Sequence, residues 1–428
     1  RAPIGRAAPD TPQRPYRPYE VCGLELEYVT IDRDLNVVHR TEQALAALAG
    51  HACSDLSLGA VGFSNEIFDH VIELKTLAPH RSFEKLETLL VEGVRRLDGL
   101  LARRFGARLL PTGMHPWFDP AKAVLWKRAN RAIYETYERL FPIYTHGWAN
   151  VQASHVNLPL GTETDAVAMM NAAALVVPYL PALAASSPVV EGELVEFACG
   201  RMHHLLGHQR KIPESIGAMV PEYMESYKQY RHDVLRPMFH ALDGLPDTQE
   251  LRRDYFNARA AVIKFGRESI EVRALDTQEC VRRDVAVALF TRSALQALSQ
   301  RLQSGQLALP DHQLLVADLH ATVRHGRAAR VHAPHLGDRL DRDADGRARA
   351  ADALRILLEL AAPAVKKAER RYLDDIADII ERGNLSEKIR AVLAPYADDE
   401  RAFEDHARRV YIHLADCLID NRPWNGRI

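Results

Sequence analysis

Hydrophobic and polar positions alternate along the segment 19–29, and this pattern predicts the first strand of the chain. Leu24 and Leu26 fall on one face of the strand, whereas Glu25 and Glu27 share the other face. Side chains two positions apart point to the same side of a strand. The segment therefore predicts an apolar face that packs on a core and an opposite face that displays two carboxylates.

The same alternation recurs in the segment 268–276. Ile270 and Val272 form an apolar face, and Glu271 and Arg273 share the opposite face. An acid beside a base on a core-backed strand indicates a sheet with a functional surface. The alternative is a salt bridge on a solvated sheet face.

The segment 61–76 also has the composition of strands, and it carries Glu66 and Glu73. Their spacing of seven is odd, so one unbroken strand would place these acids on opposite faces. We therefore expect a bulge or a turn near Asp69-His70 that brings both acids to one side.

A further strand is predicted over 149–158, where His155 and Asn157 share a face. Four segments thus display carboxylates and an imidazole, and on one sheet these groups would repel unless cations lay between them. Such ligands suit Mg²⁺ or Mn²⁺, and an arginine nearby suits a transferring phosphoryl group. The alternative is that each pair lies on a separate solvated edge.

Helical periodicity dominates the rest of the chain. Helices are predicted at 41–49, 83–104, 120–140, 162–185, 221–242, 283–302, 350–393 with a break at Gly383-Asn384, and 398–420. Strands and helices do not alternate regularly, which favours an α+β fold with a mostly antiparallel sheet over a dinucleotide-binding fold. The sequence also lacks a glycine-rich phosphate-binding motif.

Composition excludes several classes of protein. The formal net charge of −2 over 428 residues gives no overall field for nucleic acid or for an anionic membrane. The five scattered cysteines predict a reducing compartment, and we expect a cytoplasmic protein. Prolines at 178 and 181 interrupt the uncharged run 166–190, which we interpret as a broken, buried helix and not as a membrane span.

Four short motifs resemble, in the same order, those of glutamate–cysteine ligases and related carboxylate–amine ligases. Gly23–Glu27 resembles their opening strand, and Glu66–Thr76 resembles their acidic second segment. Ser154–Asn157 is similar to their H-x-N strand, and Ile270–Asp276 to their I-E-V-R-x-x-D strand. The resemblance spans residues 23–276, and the sequence beyond about residue 305 adds little to it.

The resemblance implies a glutamine-synthetase-like fold. In such a fold a curved, mostly antiparallel sheet holds ATP and two or three Mg²⁺ (or Mn²⁺) ions on its concave face, with helices on the convex side. We accordingly expect an N-terminal arm over 1–18, a catalytic domain over 19–305 and a mainly helical C-terminal region over 306–428 that packs on it.

The resemblance also implies roles for individual side chains. Glu27 is expected either to bind metal or to hold the substrate amine, Asn157 to face nucleotide or substrate, and Arg273 to face the γ-phosphate. The expected metal ligands or their close partners are Glu25, Glu66, Glu73, His155 and Glu271.

Three further basic residues are candidates for binding anions. Arg201 lies in the segment 191–213, which is predicted to be a loop rich in arginine and histidine. The loop is interpreted either as a lid that binds a substrate carboxylate or phosphate, or as a solvated loop. Arg259 and Lys264 precede the last strand and are expected to reach phosphate, with exposed strand positions as the alternative.

The implied activity is that of an ATP-dependent ligase in which a carboxylate is phosphorylated and an amine attacks the acyl phosphate. The family reaction joins the γ-carboxylate of glutamate to cysteine in glutathione biosynthesis, and another amine acceptor fits the sequence nearly as well. A guanidino-kinase-like phosphotransferase and a non-catalytic binding module are the other classes considered. Small amino acids are the expected partners, and the oligomeric state stays open, with a homodimer as one option.

Overall fold

A computed structural model describes residues 16–428, so only the last three residues of the predicted arm 1–18 lie within the described part. The strands are β1 (Gly23–Ile31), β2 (Asp55–Leu58), β3 (Val61–Asn65), β4 (Val71–Thr76), β5 (Arg108–Leu110), β6 (Ala153–Pro159), β7 (Val189–Val190), β8 (Glu193–Leu194), β9 (Ala261–Lys264), β10 (Ser269–Asp276), β11 (Arg330–Val331) and β12 (Ala348–Arg349).

Eight strands form one sheet in the order β2-β3-β4-β1-β6-β10-β9, and β5 pairs with the end of β1. Every pairing within this sheet is antiparallel. The remaining strands form the two-stranded ribbons β7-β8 and β11-β12. The predicted α+β class with a mostly antiparallel sheet is confirmed.

The helices occupy most of the remaining chain. They are α1 (Thr41–Ala49), α2 (Phe83–Phe105), α3 (Arg131–Leu140), α4 (His146–Ala149), α5 (Glu163–Val176), α6 (Leu180–Ala184), α7 (Gly200–Leu205), α8 (Tyr227–Tyr230), α9 (Arg236–His240), α10 (Val281–Gln303), α11 (His312–His325), α12 (Ala350–Ala361), α13 (Arg371–Arg382), α14 (Leu385–Leu393) and α15 (Glu400–Asp420).

The apolar face of the sheet packs against helices α2, α5 and α10. Leu26, Val156 and Ile270, from three neighbouring strands, are fully buried in this layer. Burying aliphatic side chains of this size stabilises the fold by about 1.5–3 kcal/mol each. The layer therefore fixes the sheet and leaves the opposite face, with its charged side chains, free for chemistry.

Helix α2 is capped at both ends. The Ser82 side chain accepts a hydrogen bond from the backbone nitrogen of Lys85 at 3.2 Å, and Gly106 ends the helix with a φ of +60°. Both are standard ways of satisfying the free polar groups at helix ends. The helix packs on β4 and so supports the strand that carries Glu73.

The long apolar segment is a core element. Glu163–Ala184 is apolar and long enough to cross a membrane by composition, but 94% of its most apolar window is buried inside the fold. A short 3-10 turn at Val177–Tyr179 separates α5 from α6 at the predicted proline break.

Three secondary-structure predictions need correction. The helix expected over 120–140 begins only at Arg131, because Asn130 adopts a φ of +68° and the preceding chain forms only a 3-10 turn at Pro120–Lys122. The segment 191–213, expected to be a loop, contains helix α7, and α11 was not predicted at all.

The C-terminal helices share the core of the sheet domain. Helices α12 and α13 pack on α10, and Leu354 and Tyr372 belong to the same buried cluster as Leu26 of β1. The hydrophobic core is thus continuous across residue 305. The proposed division of the chain at that residue stays a prediction.

Candidate functional site

The antiparallel register brings the predicted acids onto one face of the sheet. Residues directly opposite one another in such a sheet share a face, with Cβ atoms about 4.5–5.5 Å apart. The pairs are Glu25 with His155, Glu27 with Glu73, and Glu271 with Asn157. Four strands that are distant in sequence therefore contribute to one charged surface, as the alternation pattern predicted.

A loop resolves the odd spacing of Glu66 and Glu73. Strand β3 ends at Asn65 and β4 starts at Val71, and a turn between them is closed by a hydrogen bond from the Val71 nitrogen to the Phe68 carbonyl at 3.2 Å. The expected break near Asp69-His70 is confirmed. Both glutamates line the same cavity as a result.

Three side chains form a compact set of metal-binding atoms. Within residues 16–428, one ligand atom each from Glu25, Glu73 and His155 lie within 4.8 Å of one another. His155 Nδ1 is 3.3 Å from Glu25 Oε2, and His155 Nε2 is 3.7 Å from Glu27 Oε1. Two carboxylates and an imidazole fit a divalent cation such as Mn²⁺ or Mg²⁺.

Several of these acids lack charge compensation. Burial, followed by repulsion from neighbouring glutamates, raises the pKa of Glu66 well above its ordinary value. Burial and the charge of Glu25 likewise raise the pKa of Glu73, although Ser64 Oγ donates to it at 2.7 Å and Lys75 Nζ lies at 3.1 Å. Within the described residues, the Glu66 carboxylate has neither a hydrogen bond nor an ion pair.

His155 links the acids on β1. Burial would lower the pKa of His155, but its hydrogen bond to Glu25 and the charge of Glu27 raise that pKa. Burial would raise the pKa of Glu25, yet the hydrogen bond with His155 and the charge of Arg267 lower it. Burial raises the pKa of Glu27, whose Oε2 accepts a hydrogen bond from the Ala153 nitrogen at 2.7 Å. The imidazole thus partly balances two carboxylates.

Glu271 is fully compensated. It is 3% exposed, and its Oε1 lies 3.0 Å from Arg273 Nε and 3.4 Å from Lys264 Nζ. Burial would raise the pKa of Glu271, but the charges of Arg273 and Lys264 lower that pKa. These two cations therefore lie on the sheet face beside the acids.

A β-bulge orients the end of β10. Val272 pairs with Val156 and Leu275 pairs with Ser154, so three steps along β10 match two along β6. The extra residue places Arg273 and Asp276 on the same face although their spacing is odd. Without the bulge, one of them would point into the helical layer.

Asp276 is the buried partner of Arg201. Its carboxylate accepts hydrogen bonds from Arg201 Nε at 2.6 Å, Ser187 Oγ at 2.7 Å and the Ser186 nitrogen at 2.9 Å. Arg201 is only 2% exposed and lies on α7, so its predicted place on a loop or lid is wrong. Its side chain still lines a small cavity of about 140 Å³ together with Glu27.

Arg259 does not lie with the acids. It is 4% exposed, and its Nε and Nη2 contact the Glu222 carboxylate at 2.5 and 2.8 Å. Nη1 donates to the Glu214 carbonyl at 3.1 Å. Because the guanidinium is already engaged by protein groups, the predicted contact of Arg259 with phosphate is corrected to a structural ion pair.

Two cavities meet at the acid cluster. The first, of about 670 Å³, contains Glu66, Lys264 and Arg273, and the second, of about 860 Å³, contains Asn157. Their shared lining includes Glu25 and Arg267. The Asn157 Oδ1 atom is buried without a hydrogen-bond partner among the described residues.

Sequence reasoning missed two cations of the site. Lys75 contacts Glu73 and Asp55, and its place two residues after Glu73 gave a signal that the alternation pattern could have caught. Arg267, whose Nη1 lies 3.0 Å from Glu25 Oε1, comes from the turn between β9 and β10. A turn has no periodicity from which its direction could be predicted.

Comparison with known sequences matches nearly the whole chain to one family. The family model of glutamate–cysteine ligase family 2 matches residues 21–411. An uncharacterised protein of Archaeoglobus fulgidus is 30% identical over 369 residues, which are 86% of this chain and 92% of that protein. A putative glutamate–cysteine ligase 2 of Ralstonia pickettii is 25% identical over 74% of this chain and 77% of its own length.

Comparison with solved structures supports the fold. The crystal structure of glutamate–cysteine ligase from Francisella tularensis in complex with AMP aligns with a TM-score of 0.57 at 13% identity, covering 94% of this chain and 92% of that one. A bifunctional glutathione synthetase from Pasteurella multocida aligns with a TM-score of 0.52 at 13% identity, covering 92% of this chain and 52% of that one. The expected glutamine-synthetase-like fold is confirmed.

Proposed function

Because the chain belongs to glutamate–cysteine ligase family 2, and is thus an ATP-dependent ligase that forms a carbon–nitrogen bond, we propose that it joins the γ-carboxylate of glutamate to an amine. The observation that carries this proposal is the cluster of Glu25, Glu73 and His155 beside Arg273 on one sheet face. Clustered, only partly compensated acids next to fixed cations suit the binding of a metal-complexed polyphosphate.

The residues present fit divalent cations. Within residues 16–428 no side chain pairs with the Glu66 carboxylate. Glu73 lies directly opposite Glu27, and Lys75 is the cation within reach of this repulsive pair on the Glu73 side. When bound, Mg²⁺ would neutralise the polyphosphate and polarise the transferring phosphoryl group. The proposed ligands or their close partners are Glu25, Glu66, Glu73, His155 and Glu271.

The two cations around Glu271 are proposed to act on the γ-phosphate. Arg273 and Lys264 lie on the cavity wall and are held by Glu271, so little reorganisation is needed when negative charge develops. In the proposed first step, a γ-carboxylate oxygen attacks the γ-phosphorus and the bond to the β–γ bridging oxygen breaks. The products of this step are an acyl phosphate and ADP.

In the proposed second step, the amine nitrogen attacks the acyl carbon and inorganic phosphate leaves. Glu27 is suited to hold the amine and to accept its proton, because burial raises the pKa of this carboxyl and so makes it a better base. Asp276 holds Nε of Arg201, and the two terminal nitrogens of this guanidinium, at 3.4–3.5 Å from the Arg273 carbonyl, are proposed to attract a carboxylate of the donor in the small cavity beside Glu27.

The larger cavity is proposed to hold the nucleoside. It adjoins the acid cluster at Glu25, beside Arg267, and is lined by the ends of β1 and β6. Asn157, with its unpartnered Oδ1, is positioned to donate to or accept from the ligand there. Membership of a ligase family disfavours the phosphotransferase alternative.

The test of this proposal is the release of ADP and free phosphate with Mg²⁺ across a grid of carboxylate donors and amines. We expect both products only when glutamate and an amine are present together. Hydroxylamine in place of the amine should give a glutamyl hydroxamate. A phosphorylated product without free phosphate would support a kinase and contradict the proposal.

Two variants complete this test. Glu73→Gln should lower the rate of the reaction by about 100- to 1000-fold. Glu359→Gln, which changes an exposed glutamate paired with Arg339, should leave it unchanged.

A further inference from the structure

One wall of the 670 Å³ cavity is apolar and aromatic, in contrast to its acidic floor. It is formed mainly by helices α3 and α4 and the turn at Asp254–Phe256. We call this surface the aromatic wall, and it consists of Ile133, Tyr134, Tyr137, Trp148 and Tyr255. The nature of this wall bears on which amine the enzyme accepts, an inference that rests on the proposed function.

Contacts between aromatic rings hold the aromatic wall in place. The rings of Tyr137 and Trp148 lie 5.1 Å apart, and Trp148 also contacts Phe141 at 5.4 Å and His208 at 4.9 Å between ring centroids. Aromatic pairs at such distances add stability beyond the burial of their area. The surface is therefore preformed, and a ligand would not have to order it.

The polar atoms of the wall are largely engaged within the protein. Trp148 Nε1 donates to the His208 carbonyl at 3.1 Å, and the Tyr255 hydroxyl donates to the Glu250 carbonyl. The Tyr134 hydroxyl accepts a hydrogen bond from Asn65 Nδ2 at 3.2 Å. Apart from the Tyr137 hydroxyl, the wall therefore offers a ligand mainly ring faces and the aliphatic side chain of Ile133.

The position of the wall assigns it to the amine and not to the nucleotide. The polyphosphate must lie on the acids, and the larger cavity, which joins them at Glu25 and Arg267, has room for the nucleoside. The aromatic wall belongs to the other cavity, which also contains Glu27, the residue proposed to hold the amine. An amine that attacks from this side would direct its substituent toward the wall.

We propose that the natural acceptor is a primary amine that carries a bulky apolar or aromatic substituent, and not the small amino acid cysteine. The cavity of about 670 Å³ lies in the size range that holds drug-sized ligands, and it is shared with the polyphosphate and the donor, which lie on its acids and cations. The part left to the amine is the aromatic wall, whose four aromatic rings and Ile133 offer more surface than the mercaptomethyl side chain of cysteine can cover. Apolar ring faces gain affinity from an apolar partner and gain little from a thiol.

The experiment has two stages that separate activation of the donor from choice of the acceptor. In the first, the protein is incubated with ATP, Mg²⁺, glutamate and hydroxylamine, and hydroxamate is measured. In the second, kcat/KM is measured for phenethylamine, isoamylamine and L-cysteine. We expect hydroxamate in the first stage, and in the second a kcat/KM for phenethylamine at least about 10-fold above that for cysteine.

A change in cavity size tests the wall directly. Ile133→Trp should lower kcat/KM for phenethylamine by about 10-fold or more, since it fills the space for the ring, and should lower kcat/KM for the much smaller hydroxylamine by clearly less. Tyr144→Ala, a change at an exposed tyrosine that packs on Phe68 outside the cavity lining, is the matched control and should alter neither rate.

Three results would overturn the inference. Hydroxamate formation with cysteine as the best acceptor would reject a bulky amine while leaving the proposed ligase function intact. A rise in the KM for ATP in Ile133→Trp, with no change for the amines, would assign the wall to the nucleotide. Failure to form hydroxamate would contradict the proposed donor activation, and the inference would fall with it.

Discussion

Two carboxylate environments on the same sheet face differ in how their charge is met. Asp276 accepts hydrogen bonds from Arg201, Ser187 and the Ser186 backbone, and it is fully enclosed. Glu66 and Glu73 line an open cavity, and burial of their carboxylates, with repulsion from neighbouring acids, raises the pKa of each. We call the first the closed carboxylate and the other two the open carboxylates.

The difference separates structure from function. A buried charge whose hydrogen bonds are all made by protein groups stabilises a single arrangement of the chain, and removing its partner leaves an uncompensated charge. A group of acids that repel one another costs stability and persists where cations bind. Acidic residues occur in both environments. The hydrogen-bond and ion-pair partners of each carboxylate are what distinguish a structural carboxylate from a functional one.

The largest expected effect on stability comes from removing the cation that pairs with the closed carboxylate, Asp276. Arg201→Ala should lower the free energy of unfolding by about 3–5 kcal/mol, because Asp276 would remain buried without its cation. Denaturant unfolding measures this change. Arg339→Ala, at an exposed pair with Glu359, is the control and should cost less than about 1 kcal/mol. A similar small loss for Arg201→Ala would mean that the pair does not differ from a surface one.

Neutralising an open carboxylate should lower the activity strongly and leave the stability unchanged or higher. Glu73→Gln should lower turnover by about 100- to 1000-fold, as the loss of a charge-stabilising group in an active site does. The free energy of unfolding without metal should stay equal or rise, since repulsion from Glu25 is relieved while Lys75 keeps its contact with Asp55. Steady-state rates and chemical unfolding of one preparation check both parts. If Glu73→Gln lost stability and kept full activity, Glu73 would have a structural role and not the functional one assigned to it.

Mg²⁺ should stabilise the folded protein by binding at the cluster of Glu25, Glu73 and His155. At a Mg²⁺ concentration about 100 times the dissociation constant, the wild type should gain about 2.7 kcal/mol, and EDTA should remove the gain. Thermal unfolding with and without Mg²⁺ measures it. Glu25→Gln should lose most of the shift, whereas Glu359→Gln should keep it. An equal shift in both variants would place the cation elsewhere.

The smallest effect concerns a third kind of buried group, which is neither paired nor clustered. Neither ring nitrogen of His335 has a hydrogen-bond partner among the described residues, and burial, with repulsion from Arg342, lowers its pKa to about 3. Since the unfolded chain binds a proton near pH 6.5 and the folded one does not, stability falls as the pH drops below about 6.5.

Replacing His335 isolates this effect. Between pH 6.5 and 5.5 the histidine should cost the wild type about 1 kcal/mol of unfolding free energy, and His335→Phe should be less sensitive by that amount. Chemical unfolding at the two pH values gives the difference. An identical pH dependence in both proteins would mean that His335 is protonated in the folded state.

Much of the sheet could be predicted from the sequence because its strands have one buried and one polar face. Leu24 and Leu26 alternate with Glu25 and Glu27, and this period of two indicates strand and face together. The helix expected over 120–140 failed for the opposite reason. Its first half is fixed by tertiary contacts such as the bridge between Phe68 and Leu125, which local periodicity does not encode.

The site was predicted in part. Acids on strands could be assigned to a face, and the motifs gave their order along the chain, but the partners of the basic residues could not be read from either. Arg201 and Arg259 were both assigned to ligands, and each proved to be held by an acid distant in sequence, Asp276 and Glu222. Such pairs depend on how loops and helices pack, and no local pattern records them.

The β-bulge at the end of β10 has a consequence for how this strand can evolve. Glu271 and Asp276 have to face the same side across an odd interval, and one unpaired residue makes that possible. Substitutions between them change only what a side chain contributes, whereas deletion of a single residue, for example Ala274, would rotate the rest of the strand by half a turn and drive Asp276 in among the helices. We therefore expect this interval, apart from Arg273, to tolerate substitutions better than a change in its length.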